Sequence, residues 1–360
     1  MRHETRSLGT RVFGHDIDLP LIFSAVGSLR NAHRDGELAV TRTASAYGTI
    51  QFVSGVSTTA IEDIVAQASG PVYAQIYYIG GREATAPIIE RVRDAGVAGL
   101  VLIADSASPA VGADVPYRKR YTYPQTRGLR ELAGFVPQDV VRPAWTKDFL
   151  SANGLRLPIA ANSYGLGGRP LDVVEVATRV YQETPDLADL PWIRNIWDGQ
   201  ILLKGVVTPE SAHRAVDAGV DGLVVSNHGG KRARRHDPYA ACPSGRGRRG
   251  GRPGRVDVIL DGGVRRGTDV VKALALGAKA VSIGRAYSYA LMAAGEPGGQ
   301  RINEVPRTET DAAPAWLAVS SVDELARTDL LEILASSATI TADELVGAGK
   351  VRRQGVTDRQ

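Results

Sequence analysis

The sequence has very little cysteine and no long hydrophobic run. Its 360 residues include one cysteine, Cys242, which excludes an internal disulfide and a cysteine-based metal site. No apolar stretch approaches the roughly 20 residues that a membrane-spanning helix needs, and the first four residues do not resemble a signal peptide. Hydrophobic residues make up 43% of the chain, which is enough for a core and excludes wholesale disorder. We therefore expect a cytoplasmic protein without a membrane span.

The chain also has little net charge outside one segment. Its formal net charge is +4, yet residues 231–255 alone carry nine Lys and Arg against one Asp, so the remainder is net −4. Aromatic residues are scarce at 6%. A nucleic-acid-binding protein is an alternative that would depend on this one glycine-rich segment and would bind in a salt-sensitive way. We expect no nucleic-acid partner.

Short apolar runs rich in β-formers alternate with helical patterns along the chain. Eight such strands separated by helices are typical of an α/β protein with a (β/α)8 TIM barrel. The rival, an open doubly wound sheet, would need a glycine fingerprint after the first strand, and residues 24–29 lack one. Helices are predicted near 36–47, 60–68, 82–95, 171–183, 208–218, 267–276 and 286–294. The predicted strands are Leu19–Val26, Thr49–Ser54, Val72–Tyr77, Gly99–Asp105, Ile201–Val206, Gly222–Asn227, Val256–Asp261 and Ala280–Gly284.

The spacing of these strands divides the chain. A short N-terminal extension, 1–18, precedes a barrel over 19–298, and a tail that is helical or irregular follows over 299–360. Strands four and five are separated by residues 106–200, far too many for one connection, which predicts an insertion over the C-terminal face of the barrel. This insertion could be a substrate lid, a structural cap or an oligomer contact.

Candidate catalytic groups occur where predicted strands end, which is where such barrels carry their chemistry. Glycine-rich turns after strands seven and eight, with Arg265 and Arg285, predict a phosphate site, the alternative being surface arginines near ordinary helix caps. His228 suits a general base, although a lone histidine is more often structural. Lys204 could be a Schiff-base nucleophile or a charge partner.

Three motifs in this order resemble the FMN-dependent 2-hydroxy-acid oxidase and dehydrogenase family. They are Ile201-Leu-Leu-Lys-Gly-Val, Gly222-Leu-Val-Val-Ser-Asn-His-Gly-Gly and Leu260-Asp-Gly-Gly-Val-Arg-Arg-Gly-Thr-Asp. The resemblance covers roughly 15–105 and 192–296. Within the family, the segments that begin at Gln75, Val141 and Pro191 look most like the mycofactocin-pathway branch.

The resemblance implies FMN as cofactor and a role for each matching residue. His228 would take the substrate proton, and Lys204 would lie beside the N1/O2 edge of the flavin. Arg265, Gly284 and Arg285 would hold the FMN phosphate, with Asp261 and Gly263 near the ribityl chain. The isoalloxazine would accept or donate hydrogen bonds at Ser54, Gln75 and Ser226.

Departures from the family pattern bear on the substrate. The usual substrate arginine after the histidine is Lys231 here, and the second, expected near Gly112, is absent. An ammonium lacks the bidentate fork that a carboxylate prefers, so a simple 2-hydroxy acid is disfavoured. Tyr77 remains as a possible substrate hydroxyl, and Ile103 replaces a threonine usual in the flavin site. The branch implies oxidative deamination of a tyrosine-derived lactam to a keto amide. An ordinary L-2-hydroxy-acid (lactate-type) dehydrogenase or oxidase is the alternative.

Two segments break the family pattern. Residues 231–255 and 299–316 lack apolar helical periodicity and are typical of a reading-frame slip in a GC-rich gene, or else of a flexible basic loop. Only 18 residues precede the first predicted strand, so we expect the family's leading helices to be missing. An inactive, frame-damaged remnant is therefore a further alternative. An active enzyme would use a small-molecule or modified-peptide substrate and an external electron acceptor or O2, and homotetramers are common in the family.

Overall fold

The computed structural model describes residues 8–78, 81–105, 141–151, 159–164, 170–172, 186–230, 256–317 and 321–325. Its strands are β1 Thr10–Val12, β2 His15–Ile17, β3 Leu21–Phe23, β4 Gln51–Val53, β5 Val72–Ile76, β6 Gly99–Ile103, β7 Ile159–Tyr164, β8 Pro170–Asp172, β9 Gln200–Val206, β10 Gly222–Ser226, β11 Asp257–Asp261 and β12 Ala280–Ile283. Eight of them are parallel and close into a barrel in the order β10-β11-β12-β3-β4-β5-β6-β9.

Helices follow the barrel strands and cover their outer faces. The helices are α1 Gly36–Ala46, α2 Ile61–Gln67, α3 Gly81–Asp94, α4 Pro143–Ser151, α5 Leu190–Arg194, α6 Pro209–Asp217, α7 Gly267–Ala275, α8 Arg285–Leu317 and α9 Val322–Leu325. Thr208 caps α6 by accepting from the Ser211 amide at 3.2 Å, and a proline occupies the first helical position. The (β/α)8 prediction is confirmed.

The eight predicted strands all became barrel strands because each is an apolar run buried on both faces. Every residue of β5, β6 and β10 is buried. The pairs β9 with β6 and β10 with β11 are in continuous register over five residues. This register sets the carboxyl ends of the strands at one end of the barrel, where Lys204, Ser226 and Asp261 lie.

A short antiparallel hairpin, β1–β2, closes the other end of the barrel. The Phe13 amide donates to Asp257 Oδ2 at 2.7 Å, at the start of β11. The Phe13 ring contacts the first residue of β10, since a Cβ on Gly222 would lie 2.4 Å from it. Val12, Phe13 and Ile17 belong to one buried cluster with the inward side chains of the barrel. The hairpin therefore covers the amino ends of the strands, opposite the carboxyl ends that carry the candidate site residues.

The segment 299–316, expected to be irregular, forms the C-terminal half of α8. The helix bends at Ala294 and at Gly295, whose φ is +61°, and then continues. Contacts with the barrel wall override the poor helical composition. The Tyr47 hydroxyl donates to the Gln300 carbonyl at 3.0 Å, and Thr310 is fully buried.

Several predictions lie partly or wholly outside the described residues. Residues 231–255 do so entirely, and of the insertion 106–200 the structure describes α4, the β7–β8 hairpin and the stretch from 186. The predicted helix 171–183 starts inside strand β8, and its remainder is outside. The domain boundaries at 18 and 298 stay predictions. Among the described helices, none is both long and apolar enough to cross a membrane.

Candidate active site

A buried ion pair lies at the carboxyl end of the barrel. Lys204 Nζ, from β9, is 3.4 Å from Asp261 Oδ2, at the end of β11, and the two side chains are only 4% and 9% exposed. Burial alone would raise the pKa of Asp261, but the Lys204 charge and hydrogen bonds from serine hydroxyls outweigh it and the pKa is lowered. Asp261 is therefore a carboxylate, and Lys204 has a charged partner. The sequence left Lys204 open as nucleophile or charge partner, and the geometry favours the second.

Two serine hydroxyls complete the surroundings of this carboxylate. Ser226 Oγ, at the end of β10, donates to Asp261 Oδ2 at 2.6 Å. Ser282 Oγ, on β12, donates to Asp261 Oδ1 at the same distance. Both serines are at most 1% exposed. Each carboxylate oxygen thus has its own hydroxyl donor, as a buried charge requires.

His228 lies in the turn after β10 and contacts a carboxylate from another strand. Its Nδ1 is 2.8 Å from Asp105 Oδ1, with side-chain exposures of 28% for the histidine and 7% for the aspartate. Gly205 permits this approach: a Cβ there would lie 2.7 Å from Asp105 Cβ, and its φ is +100°. The pair leaves the far edge of the imidazole, Nε2, directed away from Asp105. An imidazole oriented by a carboxylate is a common arrangement for a general base.

Asp105 is a site residue that the sequence analysis did not single out. It follows β6 by two residues, as the other candidates follow their strands, and that position was the available signal. Its second oxygen, Oδ2, is buried and has no hydrogen-bond partner in the part of the chain that is described. The burial of this carboxylate strengthens its interaction with a protonated His228.

Gln75 and Tyr77 form a second polar pair at the end of β5. Gln75 Nε2 donates to the Tyr77 hydroxyl at 2.8 Å. Gln75 is 2% exposed, and its Oε1 has no donor among the described residues. Ser54, directly after β4, is also buried, and its Oγ accepts from the Val56 amide at 3.2 Å. An unpaired buried carbonyl suits a ligand that carries an N–H, such as the imide of an isoalloxazine.

The predicted phosphate site brings together the turns after β11 and β12. Arg265 and Arg285 are exposed, and Gly262 and Gly263 have φ of +116° and +79°. A Cβ at Gly229 would lie 3.7 Å from the Arg285 guanidinium, so this arginine reaches the turn that carries His228. A glycine-rich turn beside two arginines fits a phosphate group.

One part of the phosphate prediction needs correction. A glycine-rich turn that leads into a helix would offer its backbone amides to a phosphate, but at the start of α7 carboxylates already accept from these amides. Asp269 Oδ2 accepts from the amides of Arg265 and Arg266 at 3.0 and 3.1 Å, and Glu309 Oε2 accepts from the Gly267 amide at 2.7 Å. The donors that suit a phosphate are therefore the two guanidinium groups, the turn after β11 and the start of α8 at Gly284.

The residues present fit FMN. The unpaired Gln75 carbonyl, the buried Lys204 ammonium and the Arg265 and Arg285 side chains supply the donors and acceptors that a flavin and its phosphate need. Of the predicted site residues, Lys231 lies outside the described part of the chain. The residues at strand ends that the structure places around the barrel mouth are Ser54, Gln75, Tyr77, Lys204, Ser226, His228, Asp261, Gly263, Arg265, Gly284 and Arg285.

Comparison with known proteins agrees with this geometry. The FMN-dependent dehydrogenase family matches residues 1–332, and the chain belongs to this family. It is 37% identical over 337 residues to a pre-mycofactocin synthase of Mycobacterium tuberculosis, covering 91% of this chain and 81% of that protein. It is 34% identical to a peroxisomal (S)-2-hydroxyacid oxidase of Arabidopsis thaliana, with coverages of 89% and 80%.

Solved structures give the same result. A monotopic membrane protein, (S)-mandelate dehydrogenase, has a TM-score of 0.76 at 28% identity and covers 90% of this chain and 84% of its own. A mandelate oxidase variant with a monooxide FMN adduct has a TM-score of 0.66 at 25% identity, with coverages of 91% and 84%. The protein is an FMN-dependent oxidoreductase, and the predictions of family, enzyme class and cofactor are confirmed.

Proposed function

We propose that the chain oxidises the carbon that bears an amino or hydroxyl group in a small-molecule or modified-peptide substrate, with His228 as the base. The observation that carries this proposal is the 2.8 Å contact between His228 Nδ1 and Asp105 Oδ1 at the mouth of the barrel. We propose a tyrosine-derived lactam as the substrate class, oxidatively deaminated to a keto amide. The similarity to pre-mycofactocin synthase supports this choice.

His228 takes the proton that the substrate loses. Asp105 fixes the ring through Nδ1, so Nε2 faces the substrate, and the carboxylate stabilises the imidazolium that forms. FMN, when bound, accepts the two electrons that leave the substrate carbon. An amine so oxidised becomes an imine, and water then replaces its nitrogen to give the ketone and ammonia.

The other strand-end residues hold the cofactor in this proposal. Lys204 would place a positive charge beside the pyrimidine edge of a bound flavin, where it would favour the reduced ring. Gln75 Oε1 would accept from the ring imide, and Ser54 would lie along the isoalloxazine. In this proposal Gly284, Arg265 and Arg285 would hold the phosphate, with Asp261 and Gly263 beside the ribityl chain.

The substrate end differs from a carboxylate site. Lys231 stands where the family has an arginine, and no arginine occupies the region of Gly112. A lone ammonium can donate to a neutral amide carbonyl, and it lacks the bidentate geometry with which two guanidinium forks would select the acid. The Tyr77 hydroxyl, held by Gln75 at 2.8 Å, supplies a further contact to the substrate.

Oxidation of a 2-hydroxy acid is the second candidate. The similarity to the Arabidopsis (S)-2-hydroxyacid oxidase and to an L-lactate dehydrogenase of Caulobacter favours it. An inactive remnant is the third, and the Gly- and Arg-rich composition of 231–255 favours that one. The proposal includes three further predictions. Enzyme assays would test for an external electron acceptor or O2, light scattering would test for a homotetramer, and cell fractionation would test for a cytoplasmic location.

Anaerobic reduction of the bound flavin separates these candidates. We expect the tyrosine-derived lactam to bleach the flavin absorbance, and L-lactate to do so at least about tenfold more slowly. His228→Asn should abolish bleaching, and asparagine tolerates the positive φ of 52° at this position. His213→Asn, an exposed histidine on α6, is the matched control. Faster bleaching by L-lactate would favour oxidation of a 2-hydroxy acid. The absence of bleaching with either substrate would favour an inactive remnant.

A further inference from the structure

We propose that Ser226 is a positioning residue for His228: its hydroxyl transfers the fixed orientation of the Lys204–Asp261 pair to the backbone of the histidine. The inference rests on the proposed function, in which His228 is the base. It gives Ser226 a role that differs from contact with the flavin ring.

The Ser226 hydroxyl has two partners that use its single hydrogen and one lone pair. It donates to Asp261 Oδ2 at 2.6 Å and accepts from the His228 amide at 3.1 Å. A hydroxyl has one hydrogen, so donation to Asp261 turns the oxygen lone pairs away from the carboxylate. Ser226 is fully buried, which leaves no water to replace either partner. The two bonds therefore fix each other's direction.

The amide that Ser226 holds belongs to a residue in an unusual conformation. His228 has φ of +52°, in the left-handed region that only a few per cent of non-glycine residues occupy, although histidine is enriched there with asparagine and aspartate. Such conformations persist only where surrounding contacts over-determine them. His228 has two such contacts, one at each end: the backbone amide to Ser226 and the ring to Asp105. Among the contacts of His228 with described residues, loss of the first leaves the ring contact with Asp105 to hold the turn.

The Asp261 carboxylate, to which Ser226 donates, is held in a fixed position because it is charged and paired. Asp261 Oδ2 receives both the Ser226 hydroxyl and, at 3.4 Å, the Lys204 ammonium. Hydrogen bonds to an ionised acceptor are stronger than those between neutral groups. A continuous chain of contacts thus leads from the Lys204 ammonium through Asp261 and Ser226 to His228.

Ser282 offers a matched control. Its hydroxyl donates to the other oxygen of the same carboxylate at the same 2.6 Å, and it is also buried. Its strand partners lie on β11 and β3, and among the described residues its hydroxyl makes no hydrogen bond to the turn that carries His228. Ser282→Ala and Ser226→Ala therefore remove equivalent bonds to Asp261, and only Ser226→Ala also removes the acceptor of the His228 amide.

Hydrogen exchange of the holoenzyme measures this difference without a substrate. We expect Ser226→Ala to speed exchange of the His228 amide by roughly three- to tenfold, the worth of one net hydrogen bond. Ser282→Ala should leave that amide at the wild-type rate. Both variants should lower FMN affinity, measured by flavin fluorescence, by the same factor.

Anaerobic flavin reduction by the tyrosine-derived lactam or L-lactate, whichever the wild type oxidises, is the second readout. We expect its saturating rate in Ser226→Ala to be about tenfold or more below that in Ser282→Ala, because a small displacement of a base is costly. Equal amide exchange and equal rates in the two variants would overturn the inference. So would a fall in FMN affinity confined to Ser226→Ala, since the hydroxyl would then be a flavin ligand. Full activity of His228→Asn would instead overturn the proposed function and leave the exchange result valid.

Discussion

Removal of the Asp261 charge tests the electrostatic centre of the site. Asp261→Asn keeps the shape of the side chain but leaves the Lys204 ammonium, 4% exposed, without its carboxylate 3.4 Å away. Breaking a buried pair from one side costs about 3–5 kcal/mol, because the remaining charge stays out of water. The free energy of unfolding of a whole domain is only about 5–15 kcal/mol. We therefore expect the variant to lose a large share of its stability.

Urea denaturation followed by tryptophan fluorescence measures this loss. The buried Trp197 on the barrel wall reports the transition. The double variant Lys204→Met with Asp261→Asn should be more stable than the sum of the two single effects predicts, because neither charge is left behind. A loss below about 1 kcal/mol in Asp261→Asn, or strict additivity in the double variant, would refute the reasoning.

The same carboxylate gives the pH dependence a definite sign. Because the pKa of Asp261 is lowered in the folded protein, its contribution is fully present above the ordinary aspartate pKa. That contribution is lost as the pH falls through the lowered folded value. Wild-type stability should therefore fall more steeply below about pH 4 than that of Asp261→Asn. Parallel acid limbs in the two proteins would contradict the assigned charge.

Three further predictions concern other parts of the fold. Thr310→Val should raise the unfolding free energy by about 1 kcal/mol, because the fully buried hydroxyl has no hydrogen-bond partner among the described residues. A urea midpoint at or below that of the wild type would contradict this. Glu37→Gln should lower the free energy of unfolding by roughly 2–4 kcal/mol, since Glu37 accepts from the amides of Leu29 and Thr58 and from the hydroxyls of Thr58 and Thr59. A thermal unfolding midpoint within 1 °C of the wild-type value would contradict this prediction. Burial lowers the pKa of His15, so the stability of the wild type should decline as the pH falls below about 6.5. Urea titrations at pH 7.5 and 5.5 should show a smaller decline for His15→Gln.

The barrel was predictable because each strand is a separate apolar run. The predicted Gly222–Asn227 and the observed Gly222–Ser226 differ by one residue. The first strand was predicted too long, Leu19–Val26 against Leu21–Phe23, because apolar composition continues beyond the ladder hydrogen bonds. Composition predicts which segments are buried, and pairing decides where they end.

Helix α8 was the least predictable element. Its second half contains two prolines and lacks apolar periodicity, which predicts an irregular segment, yet it packs against the start of α7. A Cβ at Gly267 would lie 2.4 Å from the Thr310 amide nitrogen, and Glu309 accepts from the Gly267 amide. Such contacts join residues more than 40 positions apart, and no local pattern reveals them. Tertiary packing overrides weak propensity here.

The site was predictable in its residues but not in its contacts. Lys204, His228 and Asp261 follow from their positions at strand ends. Asp105 was missed because its contact with His228 depends on the close approach that Gly205 allows. The resemblance implies a contact between Ser226 and the flavin, and that contact stays a prediction. The contact that the structure shows is the one from the Ser226 hydroxyl to Asp261. Hydrogen-bond direction depends on three-dimensional neighbours, which the strand-end pattern does not specify.

Identification of the flavin that the purified protein carries tests the central claim most directly. The account predicts a yellow protein that releases about one FMN per chain on heating, because the barrel mouth holds the buried ammonium, the unpaired Gln75 carbonyl and the two arginines that the cofactor needs. A folded, colourless protein that stays empty in excess FMN would contradict it.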